Sequence, residues 1–196
     1  MPCLTKLETY ERESGNLNVI VETPQGSRNK YDYNDEGRLF LLHHVLPRGA
    51  TFPFDFGFVP STLGDDGDPL DVLVLMDQPA FTGCLVQARL IGVIEAEQTQ
   101  EVKTFRNDRL LAVAAASQAH SHIDSIEQLP GELLDEIEHF FISYNAMRDR
   151  RFKPIGRKGP DRAAALIQEG MRRLRGPEQP ESKAKKKKGK KKGKKK

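Results

Sequence analysis

The sequence feature that most constrains this chain is an acidic loop, Asp65-Asp66-Gly67-Asp68-Pro69-Leu70-Asp71, which runs directly into the apolar segment Val72–Leu75. Two carboxylates ~6 Å apart repel each other by about 3 kcal/mol at an effective dielectric constant near 20. A turn at Gly67 needs only one such acid, so the extra charge predicts a cation-binding loop in which Asp66 and Asp71 converge. A solvated acidic loop before a strand is the simpler alternative for this segment taken alone.

The residue types of the loop limit which cation it can hold. Oxygen ligands without nearby Cys or His favour Mg²⁺, Mn²⁺ or Ca²⁺ over zinc. The pattern does not fit an EF-hand, because counting from Asp66 puts Asp71 where that loop needs Gly and Asp77 where it needs Glu. The sequence therefore predicts a site for a hard divalent cation.

The charge of the chain is unevenly distributed. The 196 residues contain 31 Lys and Arg against 28 Asp and Glu, but 11 of the lysines lie in the last 14 residues, 183–196. Without them, residues 1–182 have 20 basic and 28 acidic residues and a net charge of −8. Such a lysine block repels itself and buries nothing, so we expect a disordered tail over 177–196. It could bind polyanions through counterion release or only aid solubility.

Length and composition favour one domain, over residues 1–176, followed by the tail. Cys3 and Cys84 are the only cysteines, and neither has a metal-binding or redox spacing. No segment has the ~18 apolar residues of a membrane span, and the N-terminus lacks a signal-peptide pattern. We therefore expect a cytoplasmic protein.

Two kinds of periodicity divide the chain. Short apolar or alternating runs near 17–22, 30–33, 39–42, 71–76, 85–95 and 110–114, separated by turn residues, predict strands of a small barrel. Apolar residues then recur every three or four positions over 131–148 and again from Pro160 to about Gly176, which predicts two helices. The expected fold is α+β but mainly β: a small closed OB-like β-barrel flanked by two C-terminal α-helices.

Several motifs resemble the soluble family I inorganic pyrophosphatases. Asp66 to Val72 is similar to that family's Asp-x-Asp-Pro-x-Asp loop before an apolar strand. The same order and spacing hold for Val21-Glu22-Thr23-Pro24, Lys30-Tyr31-Asp32, Phe56-Gly57-Phe58-Val59-Pro60 and His139-Phe140-Phe141-x-x-Tyr144. The chain is thus identified as a divergent member of this family with a poly-Lys tail.

The resemblance implies an oligomer, a hexamer in many bacterial members, that hydrolyses pyrophosphate to two phosphates with Mg²⁺. Two metal ions ~3.5–4 Å apart can hold and acidify one water and clamp the phosphoryl oxygens. By the resemblance, Asp66 and Asp71 hold the activating metals, Asp68 orients or deprotonates the water, and Glu22 binds a further metal. Phosphate oxygens are then bound by Lys30, Arg109 and Tyr144.

Some positions depart from the family pattern. Asp32, Asn107 and Asn145 stand where the family has Glu, a metal-bridging Asp and a phosphate-binding Lys, although Asp108 could act as the metal ligand if its loop shifted by one residue. Phe52 and Phe56 replace tyrosines. The family's phosphate-binding Arg has no obvious counterpart, and His43, His44 and Arg48 are the nearest candidates; we assign His44 and Asn145 to the substrate side.

Three functions remain open at this point. The first is a Mg²⁺-dependent inorganic diphosphatase. The second is a catalytically weak pyrophosphatase-like protein that binds phosphates or polyanions through its Lys tail, since each lost charge-assisted hydrogen bond costs about 1.5–3 kcal/mol. The third is hydrolysis of a larger diphosphate, which Phe52 and Phe56 would suit because their rings lack hydroxyl groups.

Overall fold

The computed structural model describes residues 3–176, so the predicted Lys-rich tail at 177–196 lies outside the described residues. Within this range there are nine strands and two α-helices. The strands are β1 (Leu17–Thr23), β2 (Asn29–Asn34), β3 (Leu39–Val45), β4 (Asp55–Phe58), β5 (Asp71–Leu75), β6 (Leu85–Gln100), β7 (Lys103–Arg106), β8 (Arg109–Ala114) and β9 (Arg150–Lys158). The helices are α1 (Gly131–Ala146) and α2 (Pro160–Arg175).

Five strands close into a ring. They pair in the order β1-β4-β5-β8-β6, and β6 pairs back to β1 through Leu85–Ala88. Only the β5–β8 pairing is parallel. Closure satisfies every strand edge inside the ring, and it confirms the predicted small closed β-barrel with an OB-like, mainly β architecture.

Successive side chains along a strand point to opposite faces, and the apolar ones form two clusters, one on each side of the sheet. Leu73 and Leu75 of β5 belong to the cluster that contains α1, whereas Val72 and Val74 belong to the one that contains α2. The strand is therefore buried on both faces, which explains its continuous apolar sequence. The helices were predicted at 131–148 and from Pro160 to about Gly176, and both are confirmed.

The long strand β6 also pairs with two strands that are not part of the ring. Beyond its ring pairings, residues Val93–Gln100 pair with β9, and Glu97–Gln100 also pair with β7. The sequence analysis missed β7 and β9, because both are polar and lack alternation. The predicted strands near 30–33 and 39–42 form a separate β2–β3 hairpin instead of joining the ring.

Two bulges redirect side chains next to the ring. The pairing of β1 with β4 shifts register between Val21 and Thr23, which leaves Glu22 as the extra residue. The β2–β3 hairpin shifts in the same way, and there His43 is the extra residue. A bulge turns the side chain of such a residue away from the regular alternation. No helix in the described range 3–176 is long and apolar enough to cross a membrane.

Gly57 allows β1 and β4 to approach closely. A Cβ atom at this position would lie 1.9 Å from the Ile20 carbonyl oxygen and 2.9 Å from the Val21 Cα. Gly57→Ala must push the two strands apart, so we expect it to lower the free energy of unfolding by about 3 kcal/mol or more in urea titrations.

The matched control is Gly131→Ala, at the first residue of α1. An added Cβ there meets no atom within 4 Å, so this variant should be neutral or more stable by up to about 1 kcal/mol. Equal unfolding midpoints for the Gly57 and Gly131 variants would contradict the close strand approach.

Candidate functional site

A polar cavity with a volume of about 480 Å³ lies where the acidic loop meets the ends of the ring strands. One part of its wall carries carboxylates, from Glu22, Asp32, Asp66, Asp68 and Asp71. Lysine, arginine and amide side chains form much of the rest. The cavity thus combines a group of acids with a group of hydrogen-bond donors and cations.

Strand register brings Asp71 to Arg109. Asp71 is the first residue of β5 and Arg109 the first of β8, and the two parallel strands pair Val72 with Leu110. The Arg109 Nη1 atom lies 2.6 Å from the Asp71 Oδ2 atom. Arg109 is only 4% exposed, so this pair joins the acidic loop to a buried cation.

The rest of the acidic loop is held by backbone and helix contacts. The Gly64 amide donates to the Asp68 carbonyl at 2.7 Å, and Gly67 adopts a φ of 94°, which favours glycine. From α2, Arg173 pairs with Asp65 at 2.7 Å and donates to the Leu63 carbonyl at 2.6 Å. Asp65 therefore forms its ion pair outside the main cavity, whereas Asp66, Asp68 and Asp71 line the cavity.

Three carboxyl groups of the acidic loop have pKa values above their ordinary range. Although part of Asp66 is open to solvent, desolvation and the neighbouring Asp71 raise the pKa of its carboxyl group to about 6. Burial likewise raises the pKa of Asp68, with Asp32 adding to the effect, and it raises the pKa of Asp71 despite the opposing charge of Arg109. A cation in the cavity would relieve this repulsion.

Lys30 connects two further acids. Its Nζ atom lies 3.1 Å from Glu22 Oε2 and makes a very short contact with Asp32 Oδ1. Burial raises the pKa of Glu22 to about 7, although Lys30 opposes the shift. Burial disfavours the charged form of Lys30 as well, but Glu22 and Asp32 outweigh it and the pKa of Lys30 is raised.

Aromatic rings surround the two buried cations. The Arg109 guanidinium carbon lies 4.7 Å from the Phe141 ring centroid and 5.2 Å from that of Phe152, while Lys30 Nζ lies 4.9 Å from that of Phe56. Such contacts partly offset the cost of burying a charge. Phe56, which stands where a tyrosine was expected, thus supports the cations with its ring face.

The segment before Arg109 contributes amides instead of acids. Asn107 lines the cavity, donates from Nδ2 to Gln98 Oε1 at 3.1 Å, and accepts a short hydrogen bond from Arg109. Asp108 does not reach this cavity, because its Oδ1 atom accepts from the Ala96 amide and from Arg106, both at 2.8 Å. It lines a neighbouring cavity of about 120 Å³, so the loop shift that would have made Asp108 a ligand here is not present.

The predicted substrate-side residues are only partly brought together. Tyr144 lines the cavity and its hydroxyl group accepts from Arg148 at 3.2 Å. Asn145 also lines it but is 2% exposed, and its amide donates to the Phe141 carbonyl. His44 lies outside the main cavity against Tyr144, and burial, together with Arg148, lowers the pKa of His44 to about 4. A neutral imidazole outside the cavity is not the phosphate-binding cation that the sequence assignment required.

The structure adds residues that the sequence analysis did not assign. Arg148 and Arg150 line the cavity, as do Gln98, Gln100 and His43. His43 had been one of several candidates, and its bulged position pairs it with Asp32. Arg148 lies four residues after Tyr144, so the helix predicted over 131–148 would place both on one side, although α1 ends before Arg148. Arg150 had no recognisable signal, because it begins the unpredicted strand β9.

The donor set suits a hydrated metal ion better than a closed protein cage. Across residues 3–176, no three His, Cys, Asp or Glu side chains lie close enough to form a metal-binding group, which differs from the carboxylate cage expected of the loop. Lys30 and Arg109 hold several of these carboxylates in ion pairs instead. Mg²⁺ is usually bound by one or two carboxylates and keeps several waters, so residues such as Asp66 and Asp71 fit it.

Known proteins resemble this chain over most of its length. The inorganic pyrophosphatase of Synechocystis sp. is 40% identical over 157 residues, covering 80% of this chain and 90% of that protein. That of Methanosarcina acetivorans is 35% identical over 155 residues, covering 79% and 90%. The crystal structure of the Thermus thermophilus inorganic pyrophosphatase superposes with a TM-score of 0.82 at 31% identity, covering 89% of this chain and 100% of that one. A family model for inorganic pyrophosphatase matches residues 19–175, and the chain therefore belongs to the inorganic pyrophosphatase family.

Proposed function

We propose that this protein hydrolyses inorganic pyrophosphate to two phosphates and that the reaction depends on Mg²⁺. The observation that carries the proposal is a single cavity in which carboxylates of raised pKa adjoin the buried cations Lys30 and Arg109. The carboxylates suit a divalent cation and the basic residues suit a polyanion. Relatives that carry the name inorganic pyrophosphatase and share most of the chain support the same substrate.

The acids divide into two groups by position. Asp66 and Asp71 would hold the cation next to the reacting water, and Glu22 and Asp32, joined through Lys30, would hold a further cation on the β1 and β2 side. When bound, Mg²⁺ neutralises phosphate charge and lowers the pKa of a water molecule. Asn107, whose side-chain oxygen accepts from Arg109, would add a neutral oxygen ligand. Asp108 is not part of this set, because its carboxylate faces the smaller cavity.

The remaining groups orient the reactants. Asp68 accepts the proton of the attacking water, since it lines the cavity and is free of the ion pair that engages Asp71. Lys30, Arg109 and Tyr144 bind phosphate oxygens, and their positive charge or hydrogen bonds stabilise the negative charge that is redistributed during phosphoryl transfer. The water adds to one phosphorus atom, the P–O–P bond breaks, and the second phosphate leaves with the bridging oxygen.

We also propose a cellular location and an oligomeric state. We place the protein in the cytoplasm as a homo-oligomer, a hexamer by resemblance. Exposed apolar side chains on the β2–β3 hairpin support self-association, because Leu39, Leu41, Leu42 and Val45 are each more than half exposed. Residues 1–176 are proposed as the catalytic domain, with the Lys-rich segment from 177 outside it.

Replacing the proposed base should abolish turnover. We expect Asp68→Asn to lower kcat for pyrophosphate by 10²-fold or more in Mg²⁺, because an amide cannot accept the proton. Asp71→Asn should have an effect at least as large, since it also leaves Arg109 without its carboxylate partner. Released phosphate is the measurement, with Mg²⁺ and Mn²⁺ compared for pyrophosphate, tripolyphosphate and ATP.

The control for these variants is Glu136→Gln, an exposed position on α1 away from the cavity, which should keep full activity. If well-folded wild-type protein released no phosphate from any of the three substrates, the proposed reaction would be wrong.

The buried carboxylate of Glu22 should make stability depend on pH. Its pKa is raised to about 7 in the folded protein but is about 4.3 in an unfolded chain. The folded state therefore binds more protons between these values, and stability present below about pH 4.3 is lost as the pH rises to 7. In the presence of EDTA, we expect Glu22→Gln to flatten this pH dependence of the unfolding free energy by about 1–3 kcal/mol.

Glu136→Gln again serves as the control and should leave the pH dependence of unfolding unchanged. Adding Mg²⁺ to the wild-type protein should reduce the loss of stability between pH 5 and 7, because the cation stabilises the ionised carboxylates. A stability that rises with pH to the same extent in both the wild-type protein and Glu22→Gln would contradict the raised pKa.

Removing the Lys-rich tail should not affect catalysis. A form ending at Ser182 lacks the 11 lysines of 183–196 but keeps every residue of the cavity. We expect kcat and KM for pyrophosphate within about twofold of the full chain at 0.15 M salt, where long-range charge effects are screened. Loss of turnover on truncation would show that the tail belongs to the catalytic unit.

A further inference from the structure

Four lysine and arginine side chains line the main cavity within the described residues: Lys30, Arg109, Arg148 and Arg150. Two of them are already neutralised by acids. Lys30 contacts Glu22 and Asp32, and Arg109 contacts Asp71. An anion that binds these two cations must compete with carboxylates that the fold has placed beside them.

Arg148 has no carboxylate partner in the part of the chain that the structure describes. Its guanidinium group donates to the Tyr144 hydroxyl at 3.2 Å and lies 3.0 Å from His43 Nε2. Its central carbon lies 5.7 Å from the Tyr144 ring centroid. Neither neighbour is a carboxylate, so they hold the group in position at the cavity wall without cancelling its charge, which leaves the charge available to an anion.

Arg150 forms fewer polar side-chain contacts than Arg148 within the described residues. It is the first residue of β9, paired in register with Gln100 of β6, and it lines the cavity without an ion pair or side-chain hydrogen bond to any residue in 3–176. Together with Lys30, its charge opposes the rise that burial imposes on the pKa of Asp68. The guanidinium group of Arg150 is therefore near enough to the acidic loop to act within the same cavity.

We propose that Arg148 and Arg150 form a subsite for one phosphoryl group of pyrophosphate. This inference rests on the proposed function. Each guanidinium group can form two parallel hydrogen bonds to phosphate oxygens. The pair supplies two uncompensated positive charges where the expected cations at positions 44 and 145 are a neutral His and a buried Asn.

The subsite is tested by binding an analogue that the protein cannot hydrolyse. Methylenediphosphonate, whose bridging atom is carbon, is titrated calorimetrically with Mg²⁺ into wild type, Arg148→Gln, Arg150→Gln and the double variant. We expect each single change to weaken binding about tenfold or more, since each removes a charge-assisted contact. Arg148→Lys, which keeps the charge but loses the forked donor, should recover part of the affinity.

Arg151→Gln is the matched control. Arg151 is the next residue along β9, is exposed, and does not line the cavity, so the same loss of charge there should leave the affinity within twofold of wild type. Kinetically, Arg148→Gln and Arg150→Gln should raise KM for pyrophosphate more than they lower kcat. A purely structural role would change thermal stability without this preference and without rescue by lysine.

The possible results distinguish an error in the proposed subsite from an error in the proposed reaction. If the wild type binds methylenediphosphonate and the two variants lose binding, the subsite stands even when no phosphate is released from pyrophosphate. If the wild type hydrolyses pyrophosphate while both variants retain its KM and bind the analogue equally well, the subsite is wrong and the enzyme assignment stands. If Arg148→Gln fails to fold, Arg150→Gln decides the question, because Arg150 has no ion pair or side-chain hydrogen bond within residues 3–176 that its replacement would break.

Discussion

The ion pair between Asp71 and Arg109 is the interaction on which the site depends. Arg109 is 4% exposed and lies against the rings of Phe141 and Phe152, and its Nε atom is buried with no hydrogen-bond partner among the described residues. Burying an arginine in this way costs several kcal/mol unless an anion and further hydrogen-bond acceptors compensate it. Asp71 supplies the anion only because β5 and β8 run parallel and start at the same level. The Asp71–Arg109 ion pair therefore has two effects: it connects the acidic loop to the ring, and it compensates the buried charge of Arg109.

Much of the architecture follows from the periodicity of the sequence, and the parts that do not follow have a physical reason. Apolar runs such as Val72–Leu75 and the three- to four-residue repeat of α1 report burial directly, so these elements were predictable. The strands β7 and β9 are polar because they lie at the end of β6 beyond the ring, and their pairing partner exists only in the folded state. Ring closure between β1 and β6 is likewise a long-range pairing that local sequence does not encode. The bulges at Glu22 and His43 depend on the same pairings, and they set the directions of both side chains.

The site shows the same division between local and long-range information. Three acids in one loop and a basic residue at the start of a strand could be located from sequence, and the structure brings Asp66, Asp68, Asp71 and Arg109 to one cavity. Sequence reasoning assigned His44 and Asn145 to the substrate side, yet burial lowers the pKa of His44 to about 4 and the Asn145 amide donates to a backbone carbonyl. Arg148 reaches the cavity just beyond the end of α1 and Arg150 at the start of β9. Their positions depend on how the chain turns there, which no motif specified.

The distribution of charge also couples the binding of cations to the binding of anions. Glu22, Asp32 and Asp71 are the partners of Lys30 and Arg109 in the ion pairs described above, and they are also the oxygen donors proposed for a divalent cation. A cation that takes these carboxylates leaves Lys30 and Arg109 with uncompensated charge, which strengthens their attraction for phosphate. By linkage, an anion that binds the two basic residues must increase the affinity of the carboxylates for a cation by the same factor. Within residues 3–176, Arg148 and Arg150 form no ion pair with a carboxylate, so their attraction for an anion depends less on this coupling.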